Sequence, residues 1–113
     1  YGGPVDDVTG YKVAGRARPA EVHEMLKLAL KGDVMGARQK VYELMINYGL
    51  SGADIIRQIH TEVFRLDIPE PLKVEIEDIV AETDYRLVEG ANEDIQLTAF
   101  LAQLARLGKK MAG

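Results

Sequence analysis

The stretch that decides the fold is Glu82-Thr83-Asp84-Tyr85-Arg86-Leu87-Val88-Glu89-Gly90-Ala91-Asn92-Glu93-Asp94-Ile95-Gln96-Leu97. It reads as one helix stopping and another starting within three residues. Gly90 suits the position just past a helix end, because glycine enters the left-handed backbone region without a Cβ clash. Asn92 suits the position that opens the next helix, where its side chain can accept from a free backbone N–H. Glu93 and Asp94 then place negative charge at the positive end of the new helix dipole. With helical periodicity on both sides of this stretch and no strand alternation after Arg18, the chain reads as an all-α bundle.

Working outward, the same punctuation recurs. Five apolar-periodic segments follow Arg18. The first is predicted over Pro19 to Lys31, with Pro19 at the first helical position and Val22, Met25, Leu26, Ala29 and Leu30 on one face. Gly32 ends it and Asp33 caps the second, Val34 to Tyr48, whose stripe is Ala37, Val41, Leu44, Met45 and Tyr48. Gly36 weakens its first turn by roughly 1 kcal/mol relative to alanine. Gly49 ends that helix. Ser51 with Asp54 forms a variant capping box for the third, which reaches about Arg65 and presents Ile55, Ile56, Ile59, Val63 and Phe64. Pro69 and Pro71 forbid its continuation. The fourth runs from Glu70 to Glu89 on Leu72, Ile76, Ile79, Val80, Thr83 and Leu87. The fifth runs from Asn92 to about Lys110, where Ile95, Leu97, Phe100, Leu101, Leu104 and Leu107 cover more than one narrow face. The first two segments and their Gly-Asp link read as an αα-hairpin, and no internal repeat is evident. The expected fold is all-α, a five-helix bundle over residues 18–113, with a short irregular linker over 1–17. Within that linker Val8, Tyr11 and Val13 suit a short strand or a helical turn.

Composition bounds the function. A chain of 113 residues fits one domain and can bury enough surface to fold without staples. Cysteine is absent, which excludes disulfides, thiolate metal sites and thiol chemistry. No apolar run approaches the ~20 residues a membrane-crossing helix needs. The net charge of −4 argues against general affinity for nucleic acid, although Arg16 and Arg18, and Arg106, Lys109 and Lys110, make local basic spots. Tyr1 at the N-terminus leads us to expect an excised or processed piece.

The 82–97 stretch also carries a resemblance. Asp84-Tyr85-Arg86-Leu87, a short gap, and Gly90-x-Asn92-Glu93-x-Ile95-Gln96-Leu97 are similar to a segment of the replication factor C small-subunit family, ATP-driven loaders of the sliding clamp in archaea and eukaryotes. Other segments resemble the same family in the same order. They are Tyr11-Lys12-Val13-Ala14-Gly15 with Ala17-Arg18-Pro19, Leu28-Ala29-Leu30-Lys31-Gly32-Asp33, Tyr48-Gly49-Leu50-Ser51-Gly52, and Gln58-Ile59-His60-Thr61-Glu62-Val63-Phe64. The similarity spans about Val8 to Leu107. The large subunit and bacterial loader subunits match these motifs less well. The resemblance implies a C-terminal collar domain, which assembles subunits without hydrolysing ATP. It implies that residues 1–17 are the remnant of a lid domain and that ATP and Mg²⁺ belong to missing upstream domains. Implied partners are other clamp-loader subunits and, through the whole complex, the sliding clamp and primer-template DNA. A cytoplasmic setting is implied, or a nuclear one if the source is eukaryotic. The chain itself has no G-x-x-x-x-G-K-[ST] phosphate loop, no acidic Mg²⁺-binding strand and no Ser-Arg-Cys finger motif, so we expect no enzyme activity and no cofactor here.

Candidate sites divide accordingly. His23 and His60 lie on different predicted helices without zinc-ligand spacing, and His60 beside Ile59 reads as a partly buried, hydrogen-bonded side chain. Glu75, Glu77, Asp78 and Glu82 read as a solvated helix face, and Ser51 as a cap. We expect no metal or catalytic residues. Tyr85, Arg86, Glu89, Asn92, Glu93, Gln96 and Phe100 are the candidate subunit-interface residues, because interfaces favour Tyr and Arg and the fifth helix has more apolar width than one face needs. The bland reading of the same group is a capped turn with an Arg86–carboxylate pair inside the chain. The alternative function is a stand-alone helical adaptor or a nucleic-acid-binding module, which would show a basic groove.

Overall fold

The computed structural model describes residues 15–112, and among them lie five helices and no strand. They are α1 (Pro19–Leu30), α2 (Val34–Tyr48), α3 (Gly52–Val63), α4 (Glu70–Val88) and α5 (Glu93–Ala112). The expected strand or turn at Val8, Tyr11 and Val13 lies outside the described residues. Packing begins at Ala17, one residue before the predicted domain start, because Ala17 is completely buried.

Helix ends follow local chemistry. Pro19 opens α1, and Asp33 Oδ1 accepts from the Gly36 N–H at 2.9 Å to open α2. Ser51 and Asp54 form the reciprocal box: Asp54 N donates to Ser51 Oγ at 3.1 Å, and Ser51 N donates to Asp54 Oδ2 at 3.0 Å. Gly32, Gly49 and Gly90 take positive φ just past the ends of α1, α2 and α4. The third helix stops at Val63, two residues short of the expected Arg65, as backbone bonds from Arg65 to Glu62 and from Leu66 to Val63 tighten its exit.

The topology is two hairpins around a central rod. α1 packs antiparallel on α2, α3 packs on α4, and α5 contacts all four others. That position explains the wide apolar arc of α5. Leu97, Phe100, Leu101, Leu104 and Leu107 are all buried against the neighbours. A helix that packs against four others needs an arc broader than the stripe of a surface helix. The arc from Leu97 to Leu107 is therefore consumed by the domain's own core, while Ile95 at its start stays exposed, and Phe100, at 1% exposure, is not at the surface. Gly108 is where α5 meets the last turn of α1, since a Cβ there would lie 2.0 Å from the Leu30 carbonyl oxygen.

Among the described residues three polar side chains are buried. Gln58 clasps the incoming chain, accepting from Ala17 N at 2.9 Å and donating to Ala17 O at 2.7 Å. Glu62, fully buried, is held by His23 Nε2 at 2.7 Å and Arg65 Nη1 at 3.2 Å. Thr83 donates to Ile79 O within α4. Among the described residues no helix is long and apolar enough to cross a membrane.

Candidate interface surfaces

The turn between α4 and α5 is built as its sequence dictates. Gly90 has φ 98°, and Ala91 N reaches back to Arg86 O at 2.9 Å, satisfying a carbonyl at the helix end. Asn92 Oδ1 accepts from Ile95 N at 2.9 Å. Arg86 Nη2 lies 2.6 Å from Glu82 Oε1, one helical turn earlier, so the in-chain ion pair exists. Such an exposed pair contributes little to stability, of order 0.3–0.5 kcal/mol.

The candidate residues separate into three groups. Tyr85, Arg86, Glu89 and Asn92 are exposed around the turn. Glu93 and Gln96 are already engaged in the fold. Glu93 Oε2 accepts from Gly52 N at 2.6 Å, so a carboxylate from α5 caps the start of α3, and Gln96 is half-buried. Phe100 corrects the expectation outright: its ring fills the core and cannot meet a partner.

The surplus apolar surface lies elsewhere. On α4, Val74, Ala81, Tyr85 and Val88 recur three, four or seven residues apart on the side opposite the buried Leu72, Ile76, Val80 and Thr83. Val74, Tyr85 and Val88 are 67%, 66% and 62% exposed, far more than a side chain bordering its own core. The sequence held this signal as a second stripe at helical spacing, hidden by the six carboxylates interleaved with it. A second apolar surface lies between α2 and α5. Met35, Ile95, Ala99 and Ala102 line a shallow groove of about 550 Å³, with Arg38, Asp94 and Thr98 at its side. Met35 and Ile95 are both mostly exposed.

The polar wall of that groove is organised. Arg38 Nη2 pairs with Asp94 Oδ1 at 3.0 Å and its Nε donates to Thr98 Oγ1 at 3.2 Å. The Tyr42 hydroxyl donates to the same Asp94 carboxylate, and the Arg38 guanidinium lies 5.1 Å from the Tyr42 ring centre. Donation from Tyr42 and then Arg38 holds the Asp94 carboxyl below the usual range. Bonding to Asp94 raises the Tyr42 phenol, with burial adding to the effect. The Tyr48 phenol is raised in the same way by its 2.5 Å bond to Glu21.

Between α3 and α4 a groove of about 280 Å³ is lined by Ile56, Arg57, His60, Glu77, Val80, Ala81 and Asp84. His60 Nδ1 sits 2.5 Å from Glu77 Oε1, and Arg57 Nε 3.3 Å from Asp84 Oδ1. His60 is thus hydrogen-bonded as expected but more exposed than expected, because it lies at the rim rather than under a neighbour. Phe64 also faces outward and meets the His60 ring edge-on. Glu77 is drawn off the solvated acidic face by this contact, while Glu75, Asp78 and Glu82 remain exposed. Among the described residues no group of His, Asp or Glu is arranged to hold a metal ion.

Comparison with known proteins gives the chain a family. Residues 17–103 match the family model described as "Replication factor C C-terminal domain". The chain is 55% identical over 109 residues to a replication factor C small subunit of Staphylothermus marinus, covering 95% of this chain and 32% of that protein. It is 52% identical to the corresponding protein of Methanocaldococcus jannaschii over 93% of this chain and 6% of that one. A Sulfolobus acidocaldarius relative is 50% identical over 98% of this chain and 35% of its own length. The chain therefore spans about a third or less of the length of these relatives. With the family match covering most of the bundle, the chain belongs to the replication factor C C-terminal domain family.

Proposed function

We propose that residues 18–113 form the collar of a clamp-loader small subunit, an oligomerisation module that holds AAA+ subunits side by side, with residues 1–17 as the linker from a lid domain. The observation that carries this reading is the pair of exposed apolar surfaces on a domain whose core is already closed. Val74, Tyr85 and Val88 on α4, Met35 on α2 and Ile95 on α5 are mostly exposed and lie outside the core. Exposed apolar patches of this kind mark contact surfaces. The family membership supports other clamp-loader subunits as the kind of partner.

The collar contributes effective concentration. Keeping neighbours tethered at one end lets lower interfaces open and close without the assembly dispersing. ATP and Mg²⁺ are held by domains outside this chain, and the clamp and primer-template DNA are engaged by the whole complex. The chain itself performs no catalysis. Tyr85, Arg86, Glu89 and Asn92 border the joint between subunits.

Sedimentation of the isolated chain tests the proposal. Self-association at high concentration is expected, with a symmetry free to differ from that of the full protein. A strictly monomeric chain at near-millimolar concentration would overturn it. Titration with primer-template DNA at low salt separates the collar from a nucleic-acid-binding module: the collar reading expects no tight, salt-sensitive binding.

A further inference from the structure

The domain takes hold of the chain before its first helix begins. Ala17 lies ahead of α1 and is completely buried. One side chain binds both of its backbone groups: the Ala17 N–H donates to Gln58 Oε1 at 2.9 Å, and the Ala17 carbonyl accepts from Gln58 Nε2 at 2.7 Å. The Gln58 amide, with one acceptor and one donor side by side, stands in for a neighbouring peptide group. A single bond would let the residue swivel, whereas the pair fixes the direction in which the chain enters. One turn further along α3, on the same face, the fully buried Glu62 carboxylate meets His23 Nε2 of α1 at 2.7 Å, Arg65 Nη1 at 3.2 Å and Arg16 Nη2 at 3.9 Å. Arg18 continues the run, since its carbonyl accepts the first α1 bonds, from Glu21 N at 3.0 Å and Val22 N at 3.2 Å. The hold stops at Gly15. Its φ is 68°, and among the described residues no atom beyond its chain neighbours lies within 4 Å of where a Cβ would stand.

We infer that Arg16, Ala17 and Arg18 form a strap locked onto α3, that Gln58 and Glu62 are the positioning residues that aim the incoming chain, and that the pivot for the chain ahead of the domain is Gly15. The sequence places that pivot later, at the boundary between residues 17 and 18, because the start of α1 is the punctuation it shows there. A twist on the chain ahead of the domain is taken up at Gly15, where glycine has the widest range of backbone angles. A pull passes instead through Ala17 into α3 and, by way of Glu62 and His23, into α1. The buried Glu62 charge keeps its partners together, since a carboxylate cut off from water is costly unless it is paired. All of these contacts lie within one chain, so the lock does not rest on the collar reading. In that reading it sets the angle at which a preceding lid domain meets the collar.

Limited trypsin digestion of the whole chain, mapped by mass spectrometry, tests the lock. Trypsin cuts after Arg16 only when the strap is free, and the proline at 19 closes the Arg18–Pro19 bond to it. Cleavage at Arg16–Ala17 is expected to be at least about tenfold faster in Gln58→Leu than in the unaltered chain, because it follows the population of the opened strap. The helical body from Ala17 onward is expected to survive that cut. Phe100→Ala is the control for lost stability alone: its cuts are expected to spread through α1 to α4 together with Arg16. The lock is wrong if Arg16–Ala17 is cut equally fast with and without the Gln58 amide, or if Phe100→Ala frees that bond as selectively as Gln58→Leu does. Hydrogen exchange on the unaltered chain needs no variant to fold. The Ala17 amide is expected to exchange at least about tenfold more slowly, relative to its free-peptide rate, than the Gly15 amide. Equal protection of the two would overturn the proposal as well.

Discussion

At the residue scale, the fold depends on a few polar side chains whose partners are far away in sequence. Gln58 spends both ends of its amide on the backbone of Ala17, forty-one residues earlier. Gln58→Leu keeps the volume but leaves a buried N–H and C=O unpaired, so a loss of roughly 2–4 kcal/mol is expected in urea denaturation. Asp94 gives a pH signature. Its folded-state value is depressed, first by the Tyr42 hydroxyl and then by Arg38. The stability it contributes is therefore complete above the ordinary aspartate value of about 4 and is lost as pH falls through its lower folded value. Tyr42→Phe removes the larger cause, so its acid unfolding curve should lie closer to that of Asp94→Asn than the unaltered curve does. Equal separation of both variants from the unaltered chain below and above that range would show that the bond has no such effect.

At the element scale, α5 is decided by what surrounds it. Its arc of Leu97, Phe100, Leu101, Leu104 and Leu107 is buried, and the helix packs against all four others. Phe100→Ala should cost about 3–5 kcal/mol through the cavity it leaves. Association measured on the fraction that stays folded should be unchanged, which separates a core role from an interface role. Gly108→Ala is a second probe of the same element. Alanine improves helix propensity by about 1 kcal/mol at an exposed site, but here the new methyl meets the Leu30 carbonyl. Rigid backbone cannot yield as a flexible side chain does, so a net loss of roughly 1–3 kcal/mol is expected in thermal melts. The element ends are legible for the opposite reason. Asp33, Ser51, Asp54, Gly90 and Asn92 act on backbone groups within a few residues, so their chemistry is already present in the local sequence.

At the scale of the whole molecule, a domain with a closed core also leaves apolar side chains exposed on α4, α2 and α5. Association linked to folding makes the melting temperature depend on concentration, because only the folded form binds. Differential scanning calorimetry over a hundredfold range of chain concentration should show the midpoint rising; a flat midpoint would argue that the exposed apolar surfaces of α4 and of the α2–α5 groove meet nothing under those conditions. Raising salt should reduce the rise, since the flanking charges lie at the solvent edge and are screened.

The sequence by itself determined that the chain is helical, where each helix begins and ends to within about two residues, and which side of most helices turns inward. These follow from capping within a turn and from a 3.6-residue period, both of which act over short distances. It did not determine how many neighbours each helix has. The apolar width of α5 reads equally well as core or as interface until α1 to α4 are seen to cover it, and then Phe100 belongs inside. The reverse holds for α4, whose outer stripe passes for an acidic, solvated face until the bundle leaves it uncovered. The bond from Gly52 to Glu93 was equally hidden. Periodicity states how much of a helix must be covered, and only the packing of the other helices decides by what.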